Sequence, residues 1–282
     1  MLRSLVGSEM CIRDRPITSR KRNAVHERLP SIYMDLGIAG KTAVVSASSA
    51  GLGYATAAAL AEAGCKTVIS GRTEERLTKA AKTIPNSIPI LADVSTIEGS
   101  QNLIRDAKSQ LGTSIDILVT NAGGPPPGTF ASTNINEYME AIKLNLMSVV
   151  AMCKEAAPDM QKQKWGRILA ITSISVRQPI PDIMLSNTAR AGATGFLKTM
   201  ALEVAPDGVT VNSIQPGFHA TDRVKEIYGQ ENIESLAKSI PAQKIGSADD
   251  FGKVAAFLCS EHATFITGTA IPVAGGTYGG LQ

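Results

Sequence analysis

Eight consecutive residues carry the clearest chemistry in this sequence: Ser46-Ala47-Ser48-Ser49-Ala50-Gly51-Leu52-Gly53. Small side chains at this density let backbone come close to a bulky anion. A helix that starts within the run offers unpaired N–H groups and a partial positive charge at its N-terminus. Together these features suit a pyrophosphate. Gly51 permits close approach or unusual φ, and Gly53 permits close packing of helix on strand. The bland alternative is a tight strand-to-helix turn that binds nothing. Further on, Arg72 follows a second apolar run, and a guanidinium can grip a phosphate bidentately or stack on an aromatic base.

Such a turn must be held between a strand and a helix, and the pattern around it supplies them. Strands are expected at 42–46, 66–70, 88–91, 116–120, 167–172, 209–214 and 270–273. Helices are expected at 54–63, 73–83, 95–111, 135–161, 185–204 and 249–259. Strands alternating with helices require parallel pairing through crossover helices. The expected fold is therefore α/β: a single Rossmann-type doubly wound domain, with a parallel sheet of about seven strands flanked by helices. The stretch 217–245 is the least regular part and lies where a ligand-covering lid would be.

Composition narrows the class. Apolar residues make up 44% and charged residues 19% of 282, which fits a soluble globular domain with a sizeable core. No run of 18 apolar residues occurs, so no membrane span is expected. Cys11, Cys65, Cys153 and Cys259 are far apart and form no C-x-x-C pair. No metal site or disulfide framework is expected, and a reducing, cytoplasmic setting is. The net charge of +3 invites a nucleic-acid partner, but residues 1–33 carry +4 and residues 34–282 carry −1. The body is neutral, and no nucleic-acid partner is expected.

Residues 1–33 show no helical or strand period and no apolar signal-peptide core. Glu9-Met10-Cys11-Ile12-Arg13-Asp14 is what one frame of the transposon end used in sequencing libraries encodes. Residues 1–15 thus read as an assembly artefact and 16–33 as translated upstream sequence, with the start at Met34. The alternative is a genuine disordered basic tail. The domain proper is expected at 34–282.

From the turn onward, the body resembles the short-chain dehydrogenase/reductase family, of the 3-oxoacyl-carrier-protein reductase type. The turn resembles the family's T-G-x-x-x-G-x-G, with Ser46 and Ala47 in place of Thr and the first Gly. Asp93-Val94 resembles the D-V after the third strand, where the Asp contacts adenine. Asn121-Ala122-Gly123 resembles N-A-G after the fourth strand, and Asn145 the helix-kinking Asn. Ser173 lies where the family has its catalytic Ser. Val211-Asn212, Pro216-Gly217 and Thr221 resemble V-N-x-x-x-P-G and its following Thr, whereas Ala274 replaces a usual Asp.

The resemblance implies a nicotinamide dinucleotide held by Ser46, Ser48, Ser49, Gly51, Leu52, Gly53, Arg72, Asp93, Val94, Asn121, Ala122, Gly123, Arg190, Pro216, Gly217 and Thr221. It also implies a carbonyl or alcohol substrate and a homotetramer or homodimer. No acid stands at Gly71 or Arg72 to accept from a ribose 2′-OH, whereas Arg72 can pair with a 2′-phosphate. NADP is expected over NAD, unless Arg72 is a solvated residue paired with Glu74 or Glu75.

One departure dominates. The run Ser186-Asn187-Thr188-Ala189-Arg190 aligns with the family's Y-x-x-x-K, so Ser186 and Arg190 stand for the proton-donating Tyr and its Lys. An aliphatic hydroxyl is a far weaker acid than a phenol. Arg190 keeps the charge but stays protonated and cannot relay a proton. The resemblance makes Asn145, Ser173, Ser186 and Arg190 the catalytic group. Three readings stay open. The proton comes from elsewhere, such as a water ordered by Ser173, Ser186 and Asn145, or His219 or Asp182. The substrate supplies its own acid. Or the protein binds NADP(H) without catalysis, as a pseudoenzyme or scaffold.

Overall fold

The computed structural model describes residues 34–281. The reading of residues 1–33 as a spurious or disordered leader lies outside the described residues.

Seven parallel strands form one sheet: β1 (Thr42–Val45), β2 (Lys66–Gly71), β3 (Ile88–Leu91), β4 (Ile117–Thr120), β5 (Gly166–Ile171), β6 (Val209–Pro216) and β7 (Ala270–Val273). Their spatial order is β3-β2-β1-β4-β5-β6-β7. The chain runs outward from β1 to β3, then returns to lay β4 against the other side of β1. Strand order therefore reverses between β1 and β4, which opens a crevice beyond their C-terminal ends.

Both faces of the sheet are covered, so the strands read as continuous apolar runs instead of alternating ones. Ala43 and Val45 point to one face and Val44 to the other, and Leu118 is likewise opposed to Ile117 and Val119. On one face lie helices α1 (Gly51–Glu62), α2 (Glu74–Ala81) and α9 (Ala248–Leu258), through Leu60, Leu77 and Phe251. On the other lie α3 (Ile97–Leu111), α5 (Ser148–Lys162) and α6 (Met184–Val204), through Leu103, Met152 and Leu197. The doubly wound α/β expectation holds.

Helix boundaries differ from the sequence pattern where glycine or a cap decides. Helix α1 begins at Gly51, three residues before the expected start at Tyr54. Helix α3 starts after Thr96, whose hydroxyl accepts from Gly99 N at 2.9 Å and caps it. The single long helix expected over 135–161 is two: α4 (Ile135–Ile142) and α5, separated by a π turn at Lys143–Met147. The apolar period runs through the junction unbroken, so the pattern could not show it. The irregular stretch after β6 contains two short helices, α7 (Asp222–Tyr228) and α8 (Ile233–Ser239).

At the opposite end of the sheet from the crevice, the Arg167 side chain is almost wholly buried, with 1% exposed. It donates to Ser260 O at 3.1 Å and Gly166 O at 2.9 Å, and stacks over Trp165 at 4.3 Å. Trp165 Nε1 in turn donates to Glu261 at 2.9 Å, which ties the base of β5 to the segment after α9. We predict that Arg167→Ala strips two carbonyls and an aromatic face of their partner. The expected loss is about 2–3 kcal/mol, or roughly 4–12 °C in thermal midpoint. A melt that moved by less than a degree would show that the cluster is not structural.

Candidate active site

The turn after β1 is stitched to its neighbours by hydrogen bonds that leave its outward N–H groups unclaimed. Ser46 Oγ donates to Asn121 O and accepts from Asn121 N, both at 2.7 Å. Asn121 Nδ2 reaches across to Ala47 O at 2.9 Å. On the other side, Ser48 N donates to Ser70 O, Ser70 N to Ser48 Oγ, and Ala47 N to Ser70 Oγ. Ser70 was not singled out from sequence. A serine inside an otherwise apolar strand was its only signal.

Two positions in the turn are decided by space. A Cβ at Gly53 would stand 2.6 Å from Asn121 Nδ2 and 2.7 Å from Ala47 O, so only glycine fits. Ala47, at the place of the family pattern's first glycine, sits at φ 46°, the left-handed region that alanine disfavours. Gly51, at φ 61°, opens α1 beside Thr221, whose Cγ2 lies 3.7 Å from where a Cβ would be. Leu52 packs inward against the α1–α9 face, and Ser49 covers Gly71 at the end of β2.

The end of the crevice beyond β2 and β3 is polar and open. Arg72 and Asp93 are exposed there, and Val94 anchors the loop in the core. Burial alone would raise the Asp93 pKa, but the Ser95 backbone and side-chain hydrogen bonds and the Arg72 charge outweigh it and hold the carboxyl below its ordinary value. Arg72 makes no ion pair with Glu74 or Glu75, and the carboxylate that feels its charge is Asp93.

The other end gathers the expected catalytic group. The π turn buries Asn145 at 3% exposure, with Nδ2 on Gly123 O at 3.0 Å and Oδ1 buried without a partner. Ala122 packs on the core, which fixes the 121–123 segment beneath it. Ser173 follows β5, and its Oγ accepts from Ser175 N at 3.1 Å, which leaves its proton free to donate. Arg190 lies one turn along α6 from Ser186. Its Nε donates to Ser186 Oγ at 3.2 Å, and its Nη1 to Ile171 O at 3.0 Å and Thr172 O at 3.2 Å. Burial lowers its pKa to about 10, so the guanidinium remains a cation at neutral pH. Arg190 is therefore a strut between β5 and α6 as well as a charge in the crevice.

Pro216 and Gly217 end β6, where a Cβ on Gly217 would strike Ala274 at 2.8 Å. The lid begins immediately after. Its two ends are joined by a bridge between His219 and Gly246, and the His219 ring packs on Phe251 at 5.0 Å between centroids. This changes the reading of His219. It is a buried joint at the base of the lid, 4% exposed, with Nδ1 against Gly217 O at 3.3 Å, and not an open proton donor. Asp182 is exposed, and its backbone carbonyl accepts from Gly128 N at 2.7 Å. Arg223 of α7 donates to Pro125 O at 3.0 Å and so ties the lid to the proline-rich loop after β4. Phe218, Arg223 and Tyr228 belong to this end but were not singled out from sequence, because nothing local marks a lid contact.

These residues fit a dinucleotide. The turn is shaped by glycine at the point of closest approach, Arg72 and Asp93 flank one end, and an unpartnered amide oxygen and a cation stand at the other.

Known proteins are similar to this chain over most of its length. The family model described as "Enoyl-(Acyl carrier protein) reductase" matches residues 46–278. The chain is 34% identical over 249 residues to the 3-oxoacyl-[acyl-carrier-protein] reductase FabG of Aquifex aeolicus, covering 87% of this chain and 100% of that one. It is similar to the structure of L-sorbose reductase from Gluconobacter frateurii complexed with NADPH and L-sorbose, with TM-score 0.83 and 31% identity, covering 88% of this chain and 100% of that one. It is also similar to a 7α-hydroxysteroid dehydrogenase complexed with NADH and a 7-oxo bile acid, with TM-score 0.81 and 28% identity, covering 88% and 98%.

Two substitutions in the turn should act in opposite directions. Gly53→Ala forces Asn121 off Ala47 O and should cost about 1–3 kcal/mol in thermal or denaturant unfolding. Ala47→Gly removes a left-handed strain of roughly 1–2 kcal/mol against a glycine entropy cost of about 0.5–1, so it should be neutral or mildly stabilising. The reverse order of stabilities would contradict this geometry. His219 gives a pH signature. Burial lowers its folded pKa, so the unfolded chain, titrating near the ordinary value of about 6.5, binds its proton first. Stability should therefore fall as pH drops below about 6.5, and His219→Leu should flatten that part of the profile.

Proposed function

The chain belongs to the short-chain dehydrogenase/reductase family, of the 3-oxoacyl-carrier-protein reductase-like kind, and from that premise we propose that it is an NADP(H)-dependent oxidoreductase acting on a carbonyl or alcohol with a non-standard proton donor. The observation that carries this reading is the pairing of a formed dinucleotide turn with Ser173 and Arg190 at one end of the same crevice.

The pyrophosphate is held by backbone N–H groups of the Ser48–Gly53 turn, with Thr221 closing from the lid side. Arg72 grips a 2′-phosphate and Asp93 with Val94 bounds the adenine. Asn121, Ala122 and Gly123 line the middle, and Arg190, Pro216 and Gly217 the nicotinamide end. When bound, the reduced nicotinamide supplies a hydride. Ser173, whose oxygen already accepts from Ser175 N, donates its own proton in a hydrogen bond to the substrate oxygen. Ser186, likewise an acceptor from Arg190, has its proton free to point at the same place. The cationic Arg190 stabilises negative charge that develops there. Asn145 Oδ1, buried and unpartnered, accepts from a water that carries protons toward the site. Neither serine hydroxyl is an acid of phenol strength.

A second reading, a cofactor-binding protein without turnover, is favoured by the resemblance of the Ser186–Arg190 run to the family's Y-x-x-x-K, which puts Ser186 in the tyrosine's place. NADPH oxidation in the presence of 3-oxoacyl thioesters and simple ketones separates the two. The expected result is turnover that falls about 10²-fold in Ser173→Ala with NADPH binding retained. NADPH should bind at least about tenfold more tightly than NADH, and Arg72→Ala should erase the difference. Equal affinities in the wild type would remove the assignment of NADP.

A further inference from the structure

Helix α7 crosses the mouth of the crevice. Its seven residues span about 10 Å. Its N-cap, Thr221, stands beside Gly51 of the pyrophosphate turn. Its first turn is tied by Arg223 to Pro125 of the loop after β4. That loop is bridged at Gly128 to Ile183, next to Asp182 and just ahead of Ser186. The last residue of α7 is Tyr228. Its ring meets Phe218, which follows Pro216-Gly217, edge-on at 5.4 Å between centroids. The helix thus starts beside the Ser46–Gly53 turn and ends with a tyrosine on Phe218, the residue after Pro216-Gly217.

The other described tyrosines have other partners. Tyr54 is hydrogen-bonded to Thr83, Tyr138 is packed beside Leu185 and Ala189, and Tyr278 lies under Arg177. His219 is buried at the lid base. Asp182 is exposed two residues before α6, and its charge adds to burial in raising the Tyr228 pKa.

We propose that Tyr228 is the general acid of this site, a lid phenol that replaces the tyrosine missing from position 186. The inference rests on the oxidoreductase reading above. In the reduction, the Tyr228 O–H bond breaks as an O–H bond forms on the substrate oxygen, and the carbonyl carbon gains a hydride. The carbonyl is reduced, the nicotinamide is oxidised, and the phenolate recovers a proton from water. Partial burial, then the Asp182 charge, raise the phenol's pKa above its ordinary value. The proton therefore stays in place until a stronger base, the forming alkoxide, is present. Ser173 and Arg190 polarise the carbonyl, and closing of the lid brings in the acid.

The test uses the full chain, with NADPH and the same carbonyl panel. Tyr228→Phe keeps the ring on Phe218 and should lower kcat by about 10²–10⁴-fold, with the NADPH dissociation constant within threefold of wild type. Adding Ser186→Tyr and Arg190→Lys to Tyr228→Phe should restore turnover by returning a phenol to α6. A Tyr228→Phe enzyme within threefold of wild-type kcat overturns this inference and leaves the oxidoreductase reading standing. A wild type that turns over no member of the panel overturns both.

Discussion

The crevice depends on one desolvated cation. Arg190 is partly withdrawn from water, and burial penalises its charge enough to lower its pKa to about 10. Its position is tolerable only because acceptors surround it: two terminal carbonyls of the β5 end and the Ser186 hydroxyl. Those bonds join β5 to the first turns of α6 and so set where Ser173 and Ser186 stand. The same bonds explain why Ser can occupy position 186. Its small side chain leaves room for the guanidinium's Nε, and it serves as an acceptor for Arg190 in place of presenting a phenol. Charge at this end of the site is retained while acidity is lost, and both follow from the Ser186–Arg190 pair.

The nucleotide end is built on a different principle. No side-chain charge lies under the turn between Ser46 and Gly53. Asn121 and Ser70 take up the turn's inward polar groups from either side, and the absence of a Cβ at Gly53 lets them close. What remains outward is backbone N–H at a helix N-terminus, the natural partner of a phosphate. The lid completes the crevice with few contacts: Thr221 by Gly51, Arg223 on Pro125, and the His219–Gly246 bridge at its base. A segment held at its ends and crossing points can open without disturbing the sheet.

Much of this was legible in residue order. The apolar runs at 42–45 and 117–120 have no alternation because both sheet faces are covered, which is why a doubly wound sheet could be read from them. Ser46 to Gly53 follow β1, Asn145 lies in the π turn, Ser173 follows β5 and Arg190 is on α6; the resemblance pointed to each of them. Three features were not legible, each for a physical reason. Ala47 lies at positive φ because neighbouring bonds impose it, against the residue's own preference. The π turn at Lys143–Met147 adds a residue to a helix without changing its apolar content, so only the resemblance of Asn145 to a helix-kinking Asn signalled it. His219 and Tyr228 take their roles from contacts across the lid, with Phe251 and Phe218, that no local pattern encodes.

We propose that this crevice carries out hydride chemistry despite lacking a phenol on α6. The most direct test is transfer of the label from NADPH deuterated at nicotinamide C4, using the wild-type chain and the carbonyl panel. The account predicts deuterium on the carbinol carbon of at least one alcohol product, in step with cofactor oxidation. NADPH that binds yet leaves no deuterium in any product would contradict it and leave a nucleotide-binding protein without the reaction.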